Sequence, residues 1–476
     1  MLGIVLAAGK GTRMKSNIPK VMHKITGKPI ISWVMDSLCR FFNEIDLSSD
    51  SSVCIVIGND SEQLKDFIDT NYDSINPNYA VQEIRNGTGG AVISAKEYIK
   101  NAAGDDYVFV LNGDVPFITP DTLTKMRKKI TDTSSDALIL TVNMDDPSGY
   151  GRVIKEDEDE VKKIVEHKDA TDEQRLVREI NTGIYVYRAK SLLEALEKLN
   201  SNNAQNEYYI TDTVTILKDM GKKVTSLVLE NQYEVAGIND RVQLAELEKT
   251  VRENILEHHM KNGVTIIDPD NTYINIDVKI GMDTVIYPMT FIKSGCIIGD
   301  NCEIGPMSQI EECTIGNRCK IERSHLKGTE VCDDVSVGPF ARLREGTRIE
   351  ESCKIGDFVE LKKTFMKKGS KAQHLSYLGD ATIGENVNIG AGTITCNYDG
   401  YNKHKTIIGS NAFVGSNSSI VAPVCIGENA LIAAGSVITE DVSEDALALG
   451  RSRQIEKKDR AKTIKEELKR QKEKRL

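Results

Sequence analysis

An aliphatic side chain recurs every six residues along two stretches, at Ile280, Ile286, Ile292, Ile298, Ile304 and Ile310, and again at Ile408, Val414, Ile420, Ile426, Ile432 and Ile438. A period of six matches neither the 3.6 of a helix nor the 2 of an ordinary strand. It matches a parallel β-helix, in which each turn of chain stacks its inward side chain on the next and no turn buries its apolar face alone. The phase continues through Val337, Leu343, Ile349, Ile355 and Leu361, so residues 264–455 form on the order of ten coils of roughly 18 residues. It breaks around 362–377 and 395–407, in KKTFMKKGSKAQHLSY and TCNYDGYNKHK. These segments read as loops thrown out of a rigid solenoid, where function concentrates.

The first half is built differently. Short β-rich runs (Ile4–Leu6, Val53–Ile57, Val108–Leu111, Ala137–Val142, Ile184–Tyr187) alternate with polar helical stretches, the signature of an α/β domain with a mainly parallel sheet. We assign it to residues 1–230. Residues 231–263 form a linker in which Val242, Leu244, Leu247, Val251, Ile255 and Leu256 recur at helical spacing before Gly263. The tail, 456–476, holds ten Lys or Arg against five Asp or Glu; it reads as a frayed charged helix or a disordered segment, or as an attractor of a phosphate-bearing ligand. The chain as a whole carries −10, which argues against constitutive nucleic-acid or membrane binding and requires anionic substrates to find local basic sites. Ten cysteines are spread without a CxxC pair, as expected of reduced, structural thiols in a cytoplasmic protein. No run reaches the roughly 18 apolar residues of a membrane span.

Leu6-Ala7-Ala8-Gly9-Lys10-Gly11-Thr12-Arg13 directly follows the first strand, and its small residues let backbone N–H groups approach a phosphate or base. It is neither a P-loop nor a dinucleotide fingerprint. Arg13 and Lys20 set two cations beside this cradle, which suits a triphosphate. Asp114 follows the strand Val108–Leu111, where an α/β sheet places its ligands, and a carboxylate there suits Mg²⁺, although a lone Asp after Gly is otherwise a turn residue.

LAAGKGTRM, Pro19-Lys20, Gln82, Gly87-Thr88-Gly89, Gly113-Asp114-Val115-Pro116, Gly149-Tyr150-Gly151-Arg152, Glu166-His167-Lys168-Asp169 and Asn181-Thr182-Gly183 resemble the sugar-1-phosphate nucleotidylyltransferases. With the hexapeptide half, nearly the whole chain resembles the bacterial bifunctional N-acetylglucosamine-1-phosphate uridylyltransferase/glucosamine-1-phosphate N-acetyltransferase family. The resemblance implies a Rossmann-like nucleotidyltransferase domain followed by a left-handed β-helix, a homotrimer, Mg²⁺, and the substrates glucosamine-1-phosphate, acetyl-CoA, N-acetylglucosamine-1-phosphate and UTP, serving peptidoglycan, lipopolysaccharide or other envelope polymers. Arg13 and Lys20 would neutralise the triphosphate held by Leu6, Ala7, Ala8 and Gly9, and Gln82, Gly87 and Thr88 would read uracil. Gly151, Glu166 and Asn181 would hold the sugar; Asp114 and Asn239 would hold the metal, although Asn239 read alone would be a helix cap. Asn112 departs from an aromatic residue common in the family.

Acetyl transfer from a thioester requires a deprotonated amine, and an imidazole, whose ordinary pKa lies at about 6.5, suits that task. His374, one of seven histidines, is the expected general base. Glu360 matches the carboxylate that supports it, or is an exposed solenoid charge. The resemblance further implies that Arg344, Lys362, Tyr377 and Asn388 grip glucosamine-1-phosphate, and that Ala391, Asn397, Tyr398, Ser416, Ala434 and Arg451 hold acetyl-CoA. Cys396 leaves open an acetyl-enzyme route. Two other readings remain at this stage: a nucleotidylyltransferase whose β-helix only assembles an oligomer, against which stand His374 and Asn397-Tyr398, and a non-catalytic regulatory subunit, against which stand Arg13, Lys20 and Asp114.

Overall fold

The computed structural model describes residues 1–44, 51–102, 106–203 and 205–475, and these fall into two compact units, Met1–Val251 and Arg252–Leu476. In the first, strand Leu2–Leu6 is flanked in parallel by Ser52–Gly58 and Tyr107–Asn112, with Asn78–Gln82 at the edge. Alternation along the strand sends Leu2 and Ile4 to one face and Met1 and Val5 to the other. Helix Ile30–Glu44 packs Ile31, Val34, Met35 and Leu38 on the Val5 face. Helices Thr88–Ser94, Ala189–Leu196 and Asp212–Asp219 cover the Leu2 face. Each aliphatic side chain so buried stabilises the fold by about 1.5–3 kcal/mol. The helix on the Val5 face sits so close that a Cβ at Gly3 would stand 2.6 Å from Leu38 Cδ2.

The sheet is mixed rather than simply parallel. Glu179–Arg188 runs antiparallel between Tyr107–Asn112 and Ala137–Asn143, and the hairpin of Arg152–Lys155 and Val161–Val165 attaches to it. Beyond them Val224–Leu229 returns parallel to Ala137–Asn143. Chain length accounts for the hairpin: the segment 156–160 is too short for the crossover of a dozen or more residues that a parallel neighbour requires.

The second unit is a left-handed parallel β-helix whose described strands form three sheets of eleven, ten and nine strands. The ladder side chains Ile286, Ile292, Ile304, Ile310, Val414, Ile420 and Ile432 are fully buried. Of the two phase breaks, 362–377 is not a loop. Met366 and Ala372 take the inward positions, and Lys354 pairs with Lys371 and Glu360 with Tyr377. These coils are one residue shorter than the coil from Thr272 to Thr290. A shortened corner shifts the six-residue phase without expelling chain. The second break is a true excursion, leaving strand Ile394–Cys396 and returning at Thr406–Ile408.

Helix Arg241–Lys261 buries Leu247, Val251, Ile255 and Leu256 and leaves Val242 exposed. In the basic tail, Arg460–Glu473 is helical and exposed throughout; Leu476 lies outside the described residues. All ten cysteines are free, and burial pushes the Cys54 and Cys296 thiols up to about 12. No described helix is long and apolar enough to cross a membrane.

Candidate active sites

The loops after three parallel strands of the sheet converge on the first site. Leu6 and Asn112 stand side by side at the strand ends, and Gly113 N–H donates to Leu6 O at 2.9 Å. These loops line a cavity of about 350 Å³ whose wall contains Leu6, Ala7, Ala8, Gly9, Lys20 and Asp114, together with Gln82, Gly87 and Thr88. Gln82 is buried, and its amide donates to Asn86 Oδ1 at 3.2 Å and Gly87 O at 3.0 Å. That leaves its own carbonyl to meet a base edge. Glycine is required at 87 on two counts: φ is 100, and a side chain there would strike Glu207 and Tyr208.

Arg13 and Asn239 lie outside that wall and are tied to it through Asp114. The Lys20 ammonium pairs with Asp114 Oδ2, and Arg13 donates to Asn239 Oδ1 at 2.9 Å. Ile238 N–H donates to Asp114 O at 3.0 Å, which ties the Asn239 segment to the Asp114 turn. Asn239 does not cap the following helix. Asp240 does, accepting from the N–H groups of Val242 and Gln243 at 2.9 Å each, so the Asn239 amide is released for another task. The residues therefore fit Mg²⁺: two hard oxygens, one carboxylate and one amide, each already drawing a cation, and too few protein ligands for an all-protein cage.

Gly151, Glu166 and Asn181 form a second cluster outside that cavity wall. A Cβ at Gly151 would lie 3.4 Å from Glu166 Oε2, and Asn181 N–H donates to Gly151 O at 2.9 Å. Burial raises the Glu166 carboxyl, while the Thr211 hydroxyl, donating to Oε1 at 3.0 Å, pulls the other way. Asn112 fills the space over Gly183, where a side chain would collide with its amide. Sequence reasoning missed the segment that connects the two clusters. Tyr208 N–H and O bond Asn86 and Gly89, Ile210 N–H donates to Thr88 Oγ1, and Thr211 reaches Glu166. The available signal was Thr211-Asp212 at a helix start, a capping pair whose threonine does not cap. Arg85 was missed too; it donates to Ala8 O at 2.8 Å and holds the glycine-rich loop.

In the second unit the candidates lie in a column. Corner residues of successive coils are linked by backbone bonds: Gly392 N–H to His374 O at 3.3 Å, Asn417 N–H to Ala391 O at 2.7 Å, and Gly435 N–H to Ser416 O at 2.8 Å. Arg451 closes the series with a guanidinium bond to Ala434 O at 2.8 Å. His374, Ala391, Ser416, Ala434 and Arg451 thus follow one edge, and four steps of about 4.8 Å span roughly 19 Å. Beside His374, Tyr377 and Asn397 flank Gly379, where a Cβ would stand 2.5 Å from the tyrosine oxygen and 2.7 Å from the Asn397 amide. Asn397 donates to Asp380 at 2.5 Å. Asn388 pairs with Lys371 at the other end of the strand that carries His374.

Arg344 and Lys362 line a basic cleft of about 190 Å³ with His325, Lys327, Arg342 and Lys363. Burial, then the charges of Arg342 and Lys293, lowers His325. Glu360 is engaged by Arg344 at 3.0 Å rather than by His374, whose side chain has no hydrogen-bond partner among the described residues. Tyr398 stands apart on the excursion, half-exposed under the Lys403 ammonium at 4.0 Å. That loop is ordered by Asp399, which backbone N–H groups of Asn402 and Tyr401 and the His404 ring hold well below the usual carboxylate range. Cys396 is exposed.

Residues 2–235 match the nucleotidyl transferase family, and residues 277–312 and 405–440 match the bacterial transferase hexapeptide of six repeats. The chain is 50% identical over 466 residues to the bifunctional protein GlmU of Fervidobacterium nodosum, covering 98% of each chain. The chain belongs to the bifunctional GlmU family. GlmU of Thermotoga maritima is 49% identical, over 96% of this chain and 98% of that one, and GlmU of a Geobacillus species 46% identical, over 95% and 96%. The resemblance seen in the motifs is borne out. The chain is an enzyme of UDP-N-acetylglucosamine synthesis with uridylyltransferase and acetyltransferase activities, using Mg²⁺, UTP and acetyl-CoA.

Proposed function

We propose that the two activities are divided between the two units, with residues 1–230 carrying uridylyl transfer, 231–263 the link, 264–455 acetyl transfer and 456–476 a charged tail. The observation that supports this most is the column from His374 to Arg451, an extended groove edge suited to a long thioester donor and remote in sequence from the Asp114 cavity. At its head the His374 imidazole takes a proton from the amine of glucosamine-1-phosphate as nitrogen attacks the acetyl carbon and the thiolate of coenzyme A departs. Backbone N–H groups near Ala391 supply the oxyanion donors. Arg344 and Lys362 hold the sugar phosphate; Tyr377 and Asn388 hold its hydroxyls; Asn397 and Tyr398 border the donor. Glu360 acts through Arg344, fixing that guanidinium.

In the first unit the phosphate oxygen of N-acetylglucosamine-1-phosphate attacks the α-phosphorus of UTP and pyrophosphate leaves. The nucleophile is already anionic, so no protein base is needed and positioning with charge neutralisation suffices. Asp114 and Asn239 would hold Mg²⁺, which when bound would supply part of that neutralisation. Lys20 and Arg13 neutralise the triphosphate. Gln82, Gly87 and Thr88 select uracil, and Gly151, Glu166 and Asn181 orient the sugar. The protein works in the cytoplasm as a homotrimer, without nucleic acid or membrane, and its product feeds cell-envelope polymers.

Product analysis with purified protein tests this. Glucosamine-1-phosphate, acetyl-CoA, UTP and Mg²⁺ together yield UDP-N-acetylglucosamine. Omitting UTP stops the reaction at N-acetylglucosamine-1-phosphate. Uridylylated glucosamine formed without acetyl-CoA, at a rate matching the full reaction, would refute the proposed order.

A further inference from the structure

Arg152 heads the fully buried side chains among the described residues, 1% exposed, and no carboxylate among them lies within ion-pairing distance of it. Its guanidinium donates to Tyr150 O and approaches His167 Nδ1 at 3.5 Å, while Nε has no partner. A buried guanidinium with no ion-paired carboxylate, the longer-range pull of Asp146 being set against the push of Arg175, is costly and persists where its geometry is used. Its burial also lowers it from the ordinary arginine value.

The use lies in the next peptide. In a planar trans peptide the C=O and N–H point in opposite directions. With Tyr150 O drawn to Arg152, the Gly151 N–H is turned away from the guanidinium. The bare flank of Gly151 faces Glu166. Gly151 is buried, its carbonyl is taken by Asn181 N–H, and its own N–H finds no acceptor among the described residues. Unpaired buried N–H groups are rare. Here one is held open by a charged side chain on the opposite face of the strand.

Resting on the sugar site proposed above, we propose that Arg152 is a positioning residue for substrate specificity: by clamping the Tyr150 carbonyl it aims the Gly151 N–H at the acyl oxygen of the N-acetyl group. The enzyme thereby favours an N-acetylated sugar phosphate over one that lacks the acetamido group.

The test compares uridylyl transfer to N-acetylglucosamine-1-phosphate and to glucose-1-phosphate in wild type, Arg152→Met and Arg152→Lys, with the thermal melting of the first unit as the control for folding. Arg152→Met is expected to raise KM for the N-acetylated substrate at least tenfold, leave kcat/KM for glucose-1-phosphate within twofold, and so collapse the discrimination ratio. Arg152→Lys, which restores one donor to Tyr150, is expected to recover part of the ratio. An equal loss on both substrates, or an unchanged ratio, overturns the inference. Should Arg152→Met fail to fold, the lysine variant decides alone: a ratio equal to wild type overturns the proposal, a reduced one supports it. Wild-type enzyme that transfers uridylyl equally well to both sugars would instead overturn the reading of the sugar site itself.

Discussion

The two units build their sites by opposite means. In Met1–Val251 the functional groups come from loops far apart in sequence, gathered because parallel strands end together: Leu6 beside Asn112, Gln82 at the end of the edge strand, Asn239 tied to Asp114. In the β-helix, residues of successive coils fall into one column by repetition, and a backbone bond joins each corner to the next. The difference teaches where each site is vulnerable. The convergent site depends on individual polar contacts, whereas the column depends on the ladder beneath it, because a repeat protein is stabilised by nearest neighbours.

The largest effect expected to sharpen that contrast comes from the chemistry. His374→Ala should lower acetyl transfer by about 10²–10⁴-fold, the usual worth of a positioned base, with uridylyl transfer unchanged. Separate assays of the two steps on one preparation check this, and equal loss of both would break the division of labour.

Next comes the frame. Ile420→Ala removes a fully buried rung beneath the column and should destabilise the β-helix by about 2–5 kcal/mol. Denaturant unfolding would show it, with acetyl transfer lost before uridylyl transfer. Gly379→Ala, which would crowd Tyr377 and Asn397, should cost about 1–3 kcal/mol through overpacking and raise KM for glucosamine-1-phosphate.

The smallest effect concerns Glu166, and here function and stability should move in opposite directions. Its carboxyl is raised by burial, so the folded state holds the proton to a higher pH than the unfolded chain does. Ionisation therefore opposes folding increasingly as pH rises from the unfolded value through the folded one, and below the unfolded value there is no penalty. Glu166→Gln should melt at a higher temperature than wild type near pH 7, lose that advantage on acidification, and bind N-acetylglucosamine-1-phosphate more weakly. Calorimetry across pH reads the sign; a lower melting temperature at neutral pH would contradict it.

How far the sequence discloses this differs between the units for physical reasons. The ladder is legible because one inward side chain per six residues is dictated by coil geometry, yet a coil shortened by one residue disguised 362–377 as a loop, although Met366 and Ala372 keep the interior filled. The antiparallel strand Glu179–Arg188 was not distinguishable from its parallel neighbours by composition. Its direction is set by which tertiary neighbours it meets, between Tyr107–Asn112 and Ala137–Asn143. Motif residues Asp114 and Gln82, distant in sequence, line one cavity. Arg85, Tyr208 and Thr211 escaped notice because their roles are hydrogen bonds to residues distant in sequence, which no local pattern encodes.

The central claim is the proposal that the two activities reside in separate units and act in succession on the same sugar phosphate. Its most direct test mixes two inactive proteins. Asp114→Ala and His374→Ala, each folded, should separately yield no UDP-N-acetylglucosamine from glucosamine-1-phosphate, acetyl-CoA, UTP and Mg²⁺, and together should restore it. If the mixture remains inactive while each variant retains its own partial reaction, the account of two independent sites is wrong.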